Sequence, residues 1–184
     1  MEKLILIKLG GSVITDKSKP FVARLGVIKR LVGEIKQAVK IYKGKILIGH
    51  GSGSFGHTVA KKYKTQDGIV SKDSIKGFSL TADAAVKINR VVVKECLTQD
   101  LPAASFSPLS FIYAKDAKPL HVLTSQIKKA LEIGLIPVIY GDVIMDETVG
   151  FCIYSGEKTL DLFAIKLSKY YKIDKIIMVG DTDG

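Results

Sequence analysis

Two short apolar runs, each closed by glycines, decide the fold: LILIKLGGS at residues 4–12 and KILIGHGSG at residues 45–53. Both runs have few polar positions, which is typical of strands that are buried on both faces of a parallel sheet. The segment between them repeats apolar residues at spacings of three and four, which predicts an amphipathic helix. These apolar residues are Leu25, Ile28, Val32, Ile35, Val39 and Tyr42. We therefore expect a strand–helix–strand unit with a glycine loop at the carboxyl end of each strand.

The same alternation of elements continues along the chain. It is typical of the α/β class, and we expect an αβα three-layer sandwich with an open, mainly parallel sheet. Ligands of such sheets bind at the carboxyl ends of the strands, which is where the glycine loops lie. The further elements that the patterns predict are helices at about 79–97, 125–133 and 159–171, strands at 136–140 and 175–179, and a hairpin over 143–154.

The composition favours a protein with anionic partners. Lys and Arg number 28 against 18 Asp and Glu, which gives a formal net charge of +10. This excess suits nucleic acid, a membrane surface or phosphorylated small molecules, but no block of like charge resembles a nucleic-acid arm. Cys96 and Cys152 lie far apart without metal-ligand spacing, which predicts neither a disulfide nor a zinc site. The first apolar run is too short for a signal peptide or a membrane helix, so we expect a cytoplasmic protein.

The second loop contains Gly51, Gly53 and Gly56 in the G-x-G-x-x-G spacing of dinucleotide-binding proteins. In those proteins the motif follows the first strand of the sheet, and an acidic residue ends the next strand about 20 positions later. Here a strand with its own glycines precedes the motif, and Asp67 and Asp73 lie in a segment without a strand pattern. An NAD-dependent dehydrogenase is therefore disfavoured.

The first loop is suited to binding phosphate. Gly10 and Gly11 allow backbone N–H groups to approach phosphate oxygens closely, and the Ser12 hydroxyl adds a donor. Lys8 would be costly in a buried strand unless it met an anion, and Lys17 follows the turn. The alternative is an ordinary strand-end turn with two surface lysines.

Adjacent parallel strands would place the two glycine loops side by side. Phosphoryl transfer requires two anion-binding loops with lysines between them. This is because the reaction depends on positioning and positive charge rather than on covalent catalysis. The sequence has neither a G-x-x-x-x-G-K-[ST] motif nor an H-R-D motif, which excludes a P-loop enzyme and a protein kinase.

Four motifs resemble those of the amino acid kinase family, in order along the whole chain. They are KLGGS (8–12) with Lys17 after it, the glycine-rich second loop, IPVIYGDV (136–143) and GDTDG (180–184). Within that family, GSFGH (53–57) is similar to members that phosphorylate isopentenyl phosphate to isopentenyl diphosphate.

The resemblance implies the fold, the ligands and the assembly. ATP would be the phosphoryl donor, with Mg²⁺ carried by its phosphates, and an isoprenoid monophosphate would be the acceptor. Neither nucleic acid nor a membrane is an expected partner, and the implied assembly is a homodimer. The implied organisation is one domain over 1–184, with most of the acceptor part in 1–154. The nucleotide part would start at 155–184 and be incomplete there.

The resemblance also assigns roles to single residues. Lys8, Lys17 and His57 are the implied catalytic residues, and Lys17 would stabilise the transition state. Glu157 would orient the lysines in place of the family's aspartates. Asp142 sits at a strand end, where it could orient Lys8 or Lys17 or equally cap the next turn. The implied ATP-binding residues are Lys8, Leu9, Gly10, Gly11, Ser12, Gly53, Asp181 and Asp183. The implied acceptor-binding residues are Ser52, Gly53, His57 and Gly156.

Two positions depart from the family pattern. Ser52 stands where the family usually has a glycine, and Glu157 with Lys158 stands where it usually has two aspartates. A serine can serve at the first position if its backbone avoids positive φ. At the second position, Glu157 keeps the negative charge of the first aspartate, and Lys158 places a positive charge where the family has the second aspartate.

The three histidines differ in context. An imidazole can hydrogen-bond a monophosphate and gain charge beside it, which supports His57 in the acceptor site. Its alternative role is the cap of a following helix. His50 and His121 have no such context, and we expect them to be structural or exposed.

An isoprenoid tail requires an apolar slot beside the phosphate site. The helix after the second loop places Phe78, Ala82, Ala85 and Ile88 on one side, and the small alanines leave room for a five-carbon chain. Ordinary core packing is the alternative for each of these residues. Two other functions also stay open. One is a kinase of another small phosphate or phosphonate, such as a fosfomycin-type kinase, and the other is a phosphate-binding module without catalysis.

Overall fold

The computed structural model describes residues 1–181 and follows the expected alternation of strands and helices. Short 3₁₀ turns lie at Thr65–Asp67 and Pro108–Ser110. The other elements in chain order are β1 (Lys3–Leu9), α1 (Gly11–Ile14), α2 (Leu25–Ile41), β2 (Lys45–His50), α3 (Gly53–Tyr63), α4 (Ser74–Thr98), β3 (Ala103–Phe106), β4 (Ile112–Lys115), β5 (Lys118–Val122), α5 (Ser125–Glu132), β6 (Ile136–Tyr140), β7 (Asp142–Asp146), β8 (Gly150–Tyr154), α6 (Gly156–Leu167) and β9 (Lys172–Val179).

A five-stranded sheet forms the centre of the molecule, in the order β3-β6-β2-β1-β9. Every neighbouring pair in this sheet is parallel. One apolar core joins one face of the sheet to α2, α3 and α4, and a second core joins the other face to α5 and α6. The expected αβα sandwich with a parallel sheet is therefore confirmed.

A second sheet of four strands, in the order β5-β4-β7-β8, packs into the second core. Its β7–β8 pair is the hairpin that the sequence predicts over 143–154. The β4–β5 hairpin was not predicted. Its second strand, KPLHV, includes a proline and is mostly exposed, so it lacks the continuous apolar pattern of the central strands.

Helix α3 was not predicted from the sequence, and the starts of α4 and α6 differ from the prediction. The second loop turns directly into α3 at Gly53, so His57 lies inside this helix and is not its cap. Helix α6 begins at Gly156 rather than at Thr159, because the Ser155 side chain accepts the Lys158 N–H and caps the helix. Helix α4 begins at Ser74, five residues before the predicted start.

Two further observations concern the described residues as a whole. Cys96 and Cys152 are buried free thiols. None of the helices in residues 1–181 is both long and apolar enough to span a bilayer.

Candidate active site

The two glycine loops meet at backbone contact distance. Strands β1 and β2 are parallel neighbours with Leu9 opposite His50, so their loops leave the sheet side by side. A Cβ on Gly11 would lie 2.6 Å from the Gly53 nitrogen, and a Cβ on Gly53 would lie 2.5 Å from the Gly11 carbonyl oxygen. Gly53 also has φ +50, a conformation that favours glycine. Glycine at both positions is therefore what allows the loops to touch.

Thr15 links the two loops through its buried side chain. Its hydroxyl donates to the Gly11 carbonyl at 2.7 Å and accepts the Ser54 N–H at 2.9 Å. Sequence reasoning missed this residue. A threonine four positions after a glycine is too common to mark such a link.

The loops present unpaired backbone donors to one cavity. Within residues 1–181, no acceptor pairs with the N–H groups of Gly11, Ser12, Ser52 or Gly53. All four residues line a cavity of about 1120 Å³. The first two begin α1 and the last two precede or begin α3. Unpaired N–H groups at helix starts attract anions, so the two adjacent loops offer four backbone donors that could bind an anion.

Most of the residues that the sequence singled out come together here. Those that line the cavity are Lys8, Gly10, Gly11, Ser12, Lys17, Ser52, Gly53, His57, Ala85, Asp142, Gly156, Glu157 and Asp181. Leu9 is buried beneath the first loop. Phe78 and Ala82 are not among the described residues that line the cavity. The Phe78 ring packs instead on the Phe151 ring, with 5.1 Å between their centroids. Ile88 belongs to the first apolar core. Asp183 lies outside the described residues.

Lys8 forms an ion pair with Glu157 at the start of α6. The lysine is buried in β1, where an unpaired ammonium would be costly, and the carboxylate offsets that cost. Burial raises the pKa of Glu157, but the Lys8 ammonium and hydrogen bonds outweigh it and hold the pKa below its usual value. Glu157 therefore orients Lys8 as an ionised carboxylate, while Lys158 is exposed.

Lys17 is held by the loop that follows β9. Its ammonium lies 2.6 Å from Asp181 Oδ2, and the Ser12 hydroxyl donates to Asp181 Oδ1 at 3.1 Å. The hydrogen bond from Lys17, and then that from Ser12, lower the pKa of Asp181. Asp181 is thus placed to orient Lys17 and the first loop together.

Asp142 contacts neither lysine in the structure. Its carboxylate accepts the Val143 N–H at 2.8 Å and the Ser107 hydroxyl at 3.2 Å. Burial raises the pKa of Asp142 to about 7, although the bonds from Val143 and Ser107 favour the ionised form. Of the two predicted orienting carboxylates, only Glu157 meets a lysine.

Ser52 adopts φ −80 and ψ −12, so the serine fits this position without positive φ. A Cβ on Gly56 would lie 2.3 Å from the Ser52 hydroxyl oxygen, so the glycine leaves room for the Ser52 side chain. The replacement of the family's glycine is therefore accommodated locally.

Two lysines line the cavity after His57, one on α3 and one at the C-terminal end of this helix. Lys61 follows His57 by one helical turn, Lys64 is the left-handed cap that ends α3, and all three residues are exposed and line the cavity. Sequence reasoning missed the two lysines. The spacing in HTVAKKYK would have shown them once α3 was extended past His57.

The dinucleotide alternative finds no support in this arrangement. Helix α3 leads into a 3₁₀ turn and then α4, so neither Asp67 nor Asp73 ends a strand. Within the described part of the chain, no group of three or more His, Cys, Asp or Glu residues could hold a metal ion.

Comparison with known proteins places this site in a family. A sequence model described as the amino acid kinase family matches residues 3–184. The chain belongs to the amino acid kinase family. This is a family of ATP-using phosphotransferases, so the paired anion-binding loops lie in a kinase fold.

Several members of the amino acid kinase family are similar to the chain over nearly all of its length. Isopentenyl phosphate kinase of Methanocaldococcus jannaschii is 37% identical over 188 residues, which cover 98% of this chain and 70% of that protein. The Methanothermobacter thermautotrophicus isopentenyl phosphate kinase is 34% identical, with 98% and 68% covered. An X-ray structure of isopentenyl phosphate kinase aligns with a TM-score of 0.89 at 34% identity, covering 98% of this chain and 73% of that one.

Proposed function

We propose that the protein transfers the γ-phosphoryl group of ATP to isopentenyl phosphate and so forms isopentenyl diphosphate and ADP. An oxygen of the acceptor phosphate forms a bond to the γ-phosphorus, and the bond from that phosphorus to the β–γ bridging oxygen breaks. The observation that carries the proposal is the contact between the two glycine loops, because it brings two anion-binding sets of N–H groups into one cavity. Related isopentenyl phosphate kinases at 34–37% identity support the choice of acceptor.

On the donor side, the N–H groups of Gly11 and Ser12 would hold ATP phosphates. Lys8 and Lys17 would neutralise the charge on the transferring oxygens, and Glu157 and Asp181 hold their ammonium groups in place. Phosphoryl transfer needs this positioning and charge more than covalent catalysis.

Mg²⁺ is compatible with the residues present. It binds kinases mainly through nucleotide phosphates and water, so it needs no cage of protein ligands, and residues 1–181 offer none. Asp181 is the carboxylate at the donor end that could approach a phosphate-bound ion. When bound, the metal would neutralise phosphate charge.

On the acceptor side, the N–H groups of Ser52 and Gly53 would bind the monophosphate. His57 would hydrogen-bond that anion, and Lys61 on α3 and Lys64 at the end of this helix would add positive charge around it. Ala60, Ala85 and Ile153 line the same cavity and give an apolar surface for a short isoprenoid tail. A homodimer in the cytoplasm remains our prediction, and sedimentation of the purified chain tests the oligomeric state.

A coupled ADP-release assay tests the proposal. With ATP and isopentenyl phosphate, the chain should release ADP in step with formation of the diphosphate. Fosfomycin and other small phosphonates, tested at the same concentration, should be turned over much more slowly. Faster turnover of a phosphonate would favour the other small-molecule kinase. Tight binding of both ligands by calorimetry, without ADP release, would favour a binding module.

A further inference from the structure

His50 is a buried polar residue for which the proposed chemistry has no role. It ends β2, its side chain is fully buried, and its ring stacks on the Tyr140 ring at 5.5 Å between centroids. Each ring nitrogen has one partner. Nδ1 lies 3.1 Å from the Gly51 carbonyl oxygen, and Nε2 lies 3.1 Å from the Asn89 side-chain nitrogen.

These partners fix where the protons lie. A carbonyl oxygen can only accept, so Nδ1 carries a proton and donates it to Gly51. In the neutral ring Nε2 then accepts, which requires the Asn89 amide nitrogen to face it. The Asn89 amide oxygen accepts the Ser105 hydroxyl at 2.5 Å. Burial lowers the pKa of His50 to about 4, so the ring is neutral near pH 7. The three hydrogen bonds are thus donated in one direction, from Ser105 to Asn89, from Asn89 to His50 and from His50 to Gly51. We call this series the relay.

The end of this relay reaches the acceptor loop. The Gly51 carbonyl and the Ser52 N–H belong to one trans peptide group and point in opposite directions. Because the carbonyl is drawn to the buried imidazole, the Ser52 N–H is directed away from it. Ser52 lines the cavity, and its N–H has no acceptor among the described residues.

The loop needs such a restraint. Gly51 and Gly53 flank Ser52, and glycine backbones lose more conformational freedom on ordering than any other residue. The Gly51 N–H is held separately by the Leu9 carbonyl at 3.2 Å. The imidazole therefore supplies the hydrogen bond that fixes the next peptide group.

We propose that His50, held by Asn89 and Ser105, is a positioning residue that directs the Ser52 N–H toward the acceptor phosphate. This role rests on the proposed function, in which the second loop binds the acceptor. It acts on the acceptor side, because the three hydrogen bonds of the relay end at the Gly51 carbonyl of the second loop and none of them involves Lys8, Lys17 or the first loop.

The test compares His50→Phe with the unchanged chain. Phenylalanine keeps a ring against Tyr140 and removes both hydrogen bonds. We expect the KM for isopentenyl phosphate to rise about tenfold, the effect of losing roughly one buried hydrogen bond, and the KM for ATP to change by less than about twofold. Val92→Ala, which removes buried atoms from α4 near Asn89, controls for lost stability and should not separate the two KM values. Equal changes in both KM values for His50→Phe would overturn the proposal.

A second readout does not depend on turnover. In ¹H–¹⁵N spectra of the unchanged chain, inorganic phosphate should shift the Ser52 amide, and His50→Phe should remove that shift. If phosphate shifts this amide, His50→Phe removes the shift and isopentenyl phosphate is not phosphorylated, the positioning role stands and the proposed function fails. If the unchanged chain shows no shift, or His50→Phe keeps it, the positioning role fails. Should His50→Phe not fold, Asn89→Leu breaks the same relay and must give the same separation of KM values.

Discussion

The loop after β1 and the loop after β2 each have two N–H groups without an acceptor in residues 1–181 and line one cavity, yet their electrostatic surroundings differ. At the first loop, Lys8 and Lys17 are paired with Glu157 and Asp181, and both carboxylates have pKa values below their usual range. Positive and negative charge are therefore balanced there and held by ion pairs.

The second loop has neutral groups behind it and positive charge in front. His50, with its pKa near 4, is neutral and buried beneath the loop. His57 and Lys61 on α3 and Lys64 at the end of this helix line the cavity, and no carboxylate pairs with them in the described residues. The contrast fits two tasks. Transfer of a charged phosphoryl group requires lysines that are held in place. Binding of a monophosphate requires excess positive charge and fixed N–H donors.

The largest effect should come from Lys17→Ala, which removes a held cation from the first loop. We expect kcat to fall by about 100-fold or more with the fold intact, because the transition-state charge loses a positioned donor. Steady-state kinetics with isopentenyl phosphate measures this. Lys19→Ala changes an exposed lysine in the same segment and should leave kcat unchanged. Near-normal kcat for Lys17→Ala would remove the lysine from the reaction.

A second substitution breaks the contact between the loops. In Gly53→Ala the new Cβ would lie 2.1 Å from the Thr15 hydroxyl and 2.5 Å from the Gly11 carbonyl oxygen, at φ +50. Gly134→Ala is the matched control, with φ +88 and no atom within 4 Å. We expect Gly134→Ala to cost about 1 kcal/mol of unfolding free energy and Gly53→Ala at least about 2 kcal/mol more, with loss of activity. Urea denaturation measures both, and equal costs would show that the loops do not need this contact.

A smaller effect tests the neutral groups near the second loop. The pKa of Asp142 is about 7 in the folded chain and its ordinary value is 3.8, so the folded state binds more protons between these values. Asp142 therefore adds stability as the pH falls from 7 to 4. Asp142→Asn lacks this gain. Over that pH range its free energy of unfolding should fall by about 1–3 kcal/mol relative to that of the unchanged chain.

Thermal unfolding at several pH values measures the difference between the two proteins. His50 acts in the opposite direction, because its folded pKa is near 4 and its ordinary value is 6.5. The contribution of His50 to the free energy of unfolding is lost as the pH falls from 6.5 to about 4. This loss should be visible in Asp142→Asn, because the opposing gain from Asp142 is absent there. A pH-independent difference would mean that Asp142 is ionised in the folded chain.

Strands β1 and β2 and the two loops could be predicted from sequence because their signals are local. Apolar runs that end in glycines marked β1 and β2, and helical spacing marked α2 between them. The ion pair between Lys8 and Glu157 could not be derived from the residues alone, since it joins positions 149 apart in the chain. Only the family resemblance pointed to it.

The rest of the site depends on where elements begin and on side-chain hydrogen bonds. Because helix α3 was not predicted, the placement of Lys61 and Lys64 at the cavity could not be recognised. Thr15 and Asn89 are uncharged residues in helical or turn segments, and nothing in their neighbours distinguishes them from residues of the core. Their roles appear only when β2, α4 and the two loops are brought together.

Backbone amide chemical shifts test the central claim, that the two loops bind two different phosphates in one cavity. The chain is titrated first with a non-hydrolysable ATP analogue and then with isopentenyl phosphate. The analogue should shift the amides of Gly11 and Ser12, and isopentenyl phosphate should shift those of Ser52 and Gly53 while the analogue stays bound. Competition between the two ligands for one set of amides would contradict the account.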